Sequence, residues 1–385
     1  MSDSPPALPL TLTGSQMTHR HSLVLALVFA LSPFGLSVAS EKPELLDAEQ
    51  RSAVITTLAE QLNANYVFPD VAAQLSAELK AKDANGGYAS ATDADAFAKA
   101  LSLDLGTLGK DGHFRVAYAP GYHPQPENSA DAAPDPEQLR QQREDVARRG
   151  YGVRRVERLR GNVGLVELRA FGPTQMVADA LSAAMTLVSG TDALILDLRF
   201  NGGGDPSTVA YLLSHFFVEG DRRHLNDIYS RSTDTTRQYW TQPVVSTHYT
   251  KPVYVLTSGW TFSGGEECAY DFQTQKRGTI VGETTGGGAN PGDDFDLGHG
   301  FVAFIPTGRA INPVTHTNWE HIGVKPDIAT HAADAHKVAY TTILRALLAT
   351  ANDPDQRNEL QDALHKAETG VTDIANYSKE KGYAP

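Results

Sequence analysis

Two apolar runs that feed glycine loops constrain this chain more than anything else in it. Ala193-Leu194-Ile195-Leu196-Asp197-Leu198 leads into Asn201-Gly202-Gly203-Gly204, then into a helical pattern from about Ser207 to Phe217. Val253-Tyr254-Val255-Leu256 does the same, leading into a loop and a helix from Gly264 to about Gln275. A strand without polar alternation must be covered on both faces, as parallel strands sandwiched between helices are. Val163–Leu168 reads as a further strand, and Thr174–Val188 as the helix after it. This alternation predicts an α/β layered core with mostly parallel pairing. Asp334–Leu348 and Pro354–Glu368 read as closing helices.

The rest of the chain reads differently. Val54, Leu58 and Leu62 fall four apart, as do Val71, Leu75 and Leu79, and then Phe97, Leu101 and Leu105, so residues 44–110 are expected to be helical. Pro120 to Pro136 is rich in Pro, Ala, Asp and Asn and reads as a surface loop. The expected division is a leader over 1–40, a helical subdomain over 41–119, a linker over 120–152, and the α/β core with its closing helices over 153–385. Within the leader, Met17-Thr-His-Arg-His precedes an apolar stretch from Leu23 to Leu36 and the small residues Ser37-Val38-Ala39-Ser40. That is the layout of a secretory signal peptide starting at Met17, and the stretch is too short for a stable membrane span. Cys268 is the single cysteine, so there is no intrachain disulfide and no cysteine-built metal cluster. Export without disulfides points to a bacterial envelope or periplasm. Against 46 acidic residues stand 33 Lys and Arg, a net charge of −13, which argues against nucleic acid as a partner.

Neither glycine junction is a nucleotide loop. Arg199-Phe-Asn-Gly-Gly-Gly-Asp-Pro-Ser207 lacks the lysine and hydroxyl of a P-loop and the spaced glycines of a dinucleotide fingerprint. Its bare N–H groups at a helix start suit an oxyanion, or simply a tight turn. In Thr257-Ser-Gly-Trp-Thr-Phe-Ser-Gly-Gly-Glu-Glu267, Ser263 opens a helix. There it can be a nucleophile beside the Gly264 N–H, or the cap of a capping box with Glu266. A nucleophilic serine needs a base. Lys276 lies 13 residues into the helix, roughly 20 Å away at ~1.5 Å per residue, and is excluded. Of the 13 histidines, His113 in Asp111-Gly112-His113-Phe114 stands at a strand edge; His299, His316 and His321 are weaker candidates in loops. Glu320, beside Trp319, could orient a histidine as the acid of a serine triad does. No paired metal-ligand spacing occurs, so neither metal nor cofactor is expected.

Taken in order, Asn65-Tyr-Val-Phe-Pro-Asp70, Asp111-Gly-His-Phe114, Asp197-Leu-Arg-Phe-Asn-Gly-Gly-Gly204, the Ser263 junction, Val281-Gly-Glu-Thr-Thr-Gly-Gly-Gly-Ala-Asn-Pro-Gly292 and Asn318-Trp-Glu-His-Ile-Gly-Val-Lys-Pro-Asp-Ile328 resemble the C-terminal-processing (tail-specific) serine peptidase family. The resemblance spans about Leu45 to Leu348 and is nearest the branch similar to the modules of interphotoreceptor retinoid-binding protein. It implies a crotonase-like (spiral ββα) core, with Ser263 as nucleophile and Gly264 as one oxyanion donor. Gly203 or Gly204 would be the second donor, His113 the general base and Glu320 its acidic partner. Two departures matter. Gly287 stands where many members carry a lysine base, which removes a Ser–Lys dyad at that position. Pro120–Arg155 is too short for the PDZ domain that many members carry, leaving tail specificity unsupported.

The expected function is an exported serine endopeptidase acting on peptide or protein substrates. The alternative is a non-catalytic module that binds an apolar small molecule on the same fold, as the retinoid-binding relatives do. The segment 221–250, with Tyr229, Tyr239 and Trp240, is a candidate for shaping the cleft.

Overall fold

The computed structural model describes residues 44–122, 136–243 and 245–370. The leader and its signal-peptide reading lie outside them, as does most of the loop between Pro120 and Pro136. Three helices come first, α1 (Ala48–Asn65), α2 (Pro69–Ala84) and α3 (Ala94–Gly109), followed by β1 (Arg115–Tyr118) and α4 (Pro136–Arg148). The α/β part runs β2 (Val153–Leu159), β3 (Val163–Leu168), α5 (Thr174–Val188), β4 (Ala193–Asp197) and α6 (Pro206–Ser214). It continues with β5 (His224–Ser230), β6 (Thr235–Trp240), β7 (Val253–Thr257), α7 (Gly264–Thr274) and β8 (Thr279–Gly282). The last elements are β9 (Gly292–Gly298), β10 (Phe301–Pro306), β11 (Gly308–Ile311), β12 (Ile328–Ala329), α8 (Ala332–Thr350) and α9 (Pro354–Thr369).

Local chemistry sets the helix boundaries. Asp47 accepts the Gln50 N–H at 2.8 Å while Gln50 accepts the Asp47 N–H at 3.0 Å, a complete capping box for α1. Asp205 caps α6 through the Ser207 N–H, with Pro206 just inside the helix. The sequence pattern carries α6 on to Phe217, but the helix stops at Ser214: His215 turns inward and its Nδ1 meets the Thr247 carbonyl at 2.8 Å.

The central sheet has six strands in the order β12-β8-β7-β4-β3-β2. Its pairings from β12 to β3 are parallel, and only β2 runs antiparallel, against β3. Every residue of β4 is buried, as its unbroken apolar run requires. One face packs on α5, α6 and α7, with Leu194, Leu196, Val209, Leu213 and Phe272 in the contact; the other carries Ile195, Leu256 and Val281 against Ala339, Ile343 and Leu344 of α8. Each Leu, Ile, Val or Phe among them contributes roughly 1.5–3 kcal/mol on leaving water, before chain entropy is charged against it.

Two antiparallel sheets, β1-β10-β9 and β11-β5-β6, complete the fold. Strand β1 pairs along its length with β10, Val116 opposite Ala303. The helical region therefore shares one core with the late hairpin: Leu58, Leu62, Phe97 and Leu101 are buried with Leu297, Phe301 and Ile305. That contact fixes the chain just before β1, where His113 lies, relative to the sheet. No helix among the described residues is long and apolar enough to cross a membrane.

Candidate active site

Strands β4 and β7 are parallel neighbours, with Asp197 beside Leu256, so the loops that leave them emerge side by side at the carboxyl edge of the sheet. Asn201 ties the two loops together. Its side-chain oxygen accepts the Gly203 N–H at 2.9 Å, and its carbonyl accepts the Phe262 N–H at 3.0 Å. Gly203 has φ +103, and a Cβ there would lie 2.7 Å from both Ser263 Cβ and the Gly264 nitrogen, so nothing larger than glycine fits. With the Gly203 N–H committed to Asn201, the free donors are those of Gly204 and Gly264, neither of which has a partner among the described residues. They are close: a Cβ built on Gly264 would come 3.0 Å from the Gly204 nitrogen. Two unpaired N–H groups this close together could serve a developing oxyanion.

Ser263 is half-buried at the N-cap of α7, with φ 51 and ψ −123. An N-cap serine ordinarily has extended backbone, and a non-glycine residue in this region costs on the order of 1–3 kcal/mol. The capping-box pairing with Glu266 is present all the same, the Ser263 N–H donating to Glu266 Oε2 at 2.9 Å. Glu266 does far more than cap. It also accepts the Thr285 hydroxyl at 2.5 Å, the Gly287 N–H at 2.6 Å and the Gly288 N–H at 2.8 Å. Burial pushes its carboxyl up to about 7 against the pull of these donors.

His113 follows α3 by a tight turn. Lys110 ends the helix in the left-handed region, the Phe114 N–H reaches back to the Asp111 carbonyl, and β1 begins at Arg115. The His113 side chain is 7% exposed and lies against Phe262, the residue before Ser263, with ring centroids 4.6 Å apart. Gly288 leaves it room: a Cβ there would sit 2.8 Å from His113 Cε1 and 2.2 Å from Phe262 Cζ.

Two carboxylates flank the imidazole. Asp111 Oδ1 lies 3.4 Å from His113 Nδ1, and atoms of Asp111, His113 and Glu320 all fall within 4.8 Å of one another. Glu320 accepts the Ala289 N–H at 2.5 Å, and its only ion-pair contact among the described residues is with His321, at 3.4 Å. The oxygen that faces His321 is buried and makes no hydrogen bond. Burial first, then the Asp111 charge, pushes the Glu320 carboxyl up to about 8. Asp111 is the opposite case. Burial alone would raise it, but the nearby His113 imidazole and the His113 backbone N–H, with the Asn290 amide, hold it below the usual carboxylate range.

The residues singled out from sequence thus fall into two adjoining groups. Ser263, Gly264, Gly203 and Gly204 meet at the paired loops, and His113 and Glu320 lie together beyond Phe262. No hydrogen bond joins Ser263 to His113, and neither His113 ring nitrogen has a hydrogen-bond partner among the described residues. Gly287, in place of a lysine, has φ +85, and a Cβ there would press to 3.1 Å on the His321 backbone. His321 is itself more than half exposed, beside Glu320 rather than Ser263. Sequence reasoning assigned no role to Asp111, Asn290 or the buried side of Glu266. The Asp-Gly-His spacing was the available signal for the first. A cavity of about 660 Å³ lies elsewhere, lined by Ala210, Phe217, Tyr239 and Trp240, and takes in none of these residues.

Comparison with known proteins matches residues 162–330 to peptidase family S41, and residues 44–150 to the N-terminal domain of that peptidase in eukaryotic IRBP. The chain belongs to peptidase family S41 and is a serine-type peptidase, with peptides or proteins as its substrates. Solved structures share the fold at low identity. Mature CPAF is 12% identical, with 83% of this chain and 96% of that one covered at a TM-score of 0.52. CPAF complexed with lactacystin is 13% identical over 83% and 99%, TM-score 0.51, and a putative peptidase from Parabacteroides merdae ATCC 43184 is 17% identical over 84% and 99%, TM-score 0.50.

Proposed function

We propose that this chain is an exported serine endopeptidase with a crotonase-like core in which Ser263 is the nucleophile and His113 its general base. The observation that carries the reading is the backbone of Ser263. A serine kept only to cap α7 has no need of φ 51, whereas a nucleophile on a sharp strand-to-helix turn does. In the reaction the Ser263 hydroxyl attacks the scissile carbonyl, and its proton passes to His113. The Gly264 and Gly204 N–H groups receive the oxyanion. His113 returns the proton to the leaving amine, and water repeats the sequence on the acyl-enzyme. Asp111 and Glu320 both lie beside His113, and one buried carboxylate there steadies the imidazolium. The missing hydrogen bond between Ser263 and His113 is compatible with this, since catalytic contacts often tighten only once substrate is bound. Export rests on the Met17–Ser40 pattern.

Fluorophosphonate labelling of the purified mature chain, read by mass spectrometry, tests the reading. Labelling on Ser263 that disappears in Ser263→Ala and His113→Ala supports it. A folded wild-type chain that stays unlabelled turns the reading toward the apolar-ligand module.

A further inference from the structure

We infer that Asp111, rather than Glu320, is the carboxylate that positions the His113 imidazole, holding its Nδ1–H and leaving Nε2 free to take the serine proton. The inference rests on the peptidase reading above and specifies which acid serves it.

Distance is the first argument. Asp111 Oδ1 stands 3.4 Å from Nδ1, a short adjustment from a well-formed hydrogen bond, whereas no Glu320 oxygen makes an ion-pair contact with His113. The second is rigidity. Asp111 lies two residues before His113 in the same turn, accepts the His113 backbone N–H at 3.0 Å and is fixed further by the Asn290 amide at 2.9 Å. The Tyr66 hydroxyl adds a longer contact at 3.4 Å. The ring and its acid therefore move as one unit.

The third argument concerns which carboxyl is ionised. A carboxylate surrounded by donors in a dry site keeps its charge, and one with few donors gives it up. The groups that face Asp111 are the His113 imidazole and N–H, the Asn290 amide and the Tyr66 hydroxyl, which burial keeps protonated. Glu320 has the Ala289 N–H on one oxygen, no hydrogen bond on the other, which lies 3.4 Å from the largely exposed His321 ring, and the charges of Asp111 and Glu266 nearby. Two anions this close and this buried do not both ionise readily, and the surroundings assign the charge to Asp111. During attack the Ser263 proton moves to Nε2, Nδ1 keeps its own proton in the bond to Asp111, and the imidazolium–Asp111 pair forms with no proton passing to the acid.

The test compares Asp111→Asn with Glu320→Gln in the full mature chain. Two readouts are taken: the pH profile of the fluorophosphonate labelling rate at Ser263, and the ¹⁵N shifts of His113, which report the tautomer. Wild type is expected to carry the neutral-ring proton on Nδ1. In Asp111→Asn the amide donates to Nδ1, the proton moves to Nε2, and labelling slows by about 10⁴-fold, the scale of the corresponding change in other serine triads. Glu320→Gln is expected to keep the wild-type tautomer and to label within about tenfold of wild type. A Glu320→Gln loss equal to or larger than that of Asp111→Asn overturns the inference, as does an Nε2–H tautomer in wild type. A structural anchor alone would alter unfolding temperature without moving the tautomer or the pH profile. Should Asp111→Asn fail to fold, the wild-type and Glu320→Gln tautomers still decide. Absence of labelling in wild type would count against the peptidase site itself, while the ¹⁵N readout would continue to judge Asp111.

Discussion

The Glu266 carboxylate accepts the backbone N–H of Ser263 at 2.9 Å, and with its remaining capacity it holds the loop that seats His113. One buried side chain thus connects the turn of Ser263 to the pocket of His113. All of its neighbours in this network, the N–H groups of Ser263, Gly287 and Gly288 and the Thr285 hydroxyl, are donors. Glutamine has the same shape but would turn an NH₂ toward two of them. Glu266→Gln is therefore expected to cost about 2–4 kcal/mol of stability in urea unfolding. It is also expected to slow labelling at Ser263 by about 10²-fold, because both halves of the site shift together. Unchanged unfolding and labelling would show that the carboxylate is dispensable to the junction.

The positive φ of Ser263 makes a separate prediction. Alanine removes the hydroxyl but keeps the Cβ that makes this backbone costly, while glycine removes both. Ser263→Gly should be more stable than Ser263→Ala by about 1 kcal/mol, with neither variant reacting with fluorophosphonate. Urea midpoints for the two variants decide it. The reverse order would mean that the serine sits there without strain, and the helix-cap reading would regain its footing.

Gly288 tests the packing around His113 without replacing a titrating group. A methyl there collides with Phe262 Cζ and His113 Cε1 together, and both rings are largely buried. Gly288→Ala is expected to leave a folded chain, because the clash falls on side chains rather than backbone, and to slow labelling by about 10²-fold. A ¹⁵N spectrum showing His113 unmoved at wild-type labelling rate would refute this packing.

How much of this could be read in the sequence depended on whether the determinant was local. Strands β4 and β7 were legible because burial on both faces leaves an unbroken apolar run, and from that run follow the parallel pairing and the loops at one sheet edge. Strand β9, Gly-Asp-Asp-Phe-Asp-Leu-Gly, carries almost no apolar signal; it is held by pairing with β10, and β10 in turn by β1, far away in the chain. The choice between Gly203 and Gly204 needed the Asn201 side chain, which takes one N–H and leaves the other. Asp111 offered only its spacing to His113, since its fixing partner Asn290 lies 179 residues on.

Stability should also fall as the solution becomes mildly basic. Burial pushes Glu267 and Glu320 up to about 8 each, and Asp271, one turn beyond Glu267 on α7, is raised well above its ordinary value. An unfolded glutamate loses its proton near 4.3. Between that pH and about 8 the folded chain therefore holds protons that the unfolded chain has released, so stability declines as pH rises through the window. Asp111, held low, acts only in acid: its contribution is complete above about 3.9 and is lost as pH falls below that. Buried His215 and His336, with lowered values, favour the fold as pH rises, but only up to about 6.5. The unopposed range is thus about 6.5 to 8, where the unfolding temperature is expected to drop by several degrees. Glu267 is fully buried with one oxygen unpartnered, so Glu267→Gln replaces a costly anion with a neutral side chain of the same shape. It should flatten the decline and stabilise the chain at pH 8.5 by about 1–3 kcal/mol while changing little at pH 6. A flat wild-type profile, or a variant that is weaker at pH 8.5, would show that these carboxylates are ionised in the fold and supplied with partners in solution.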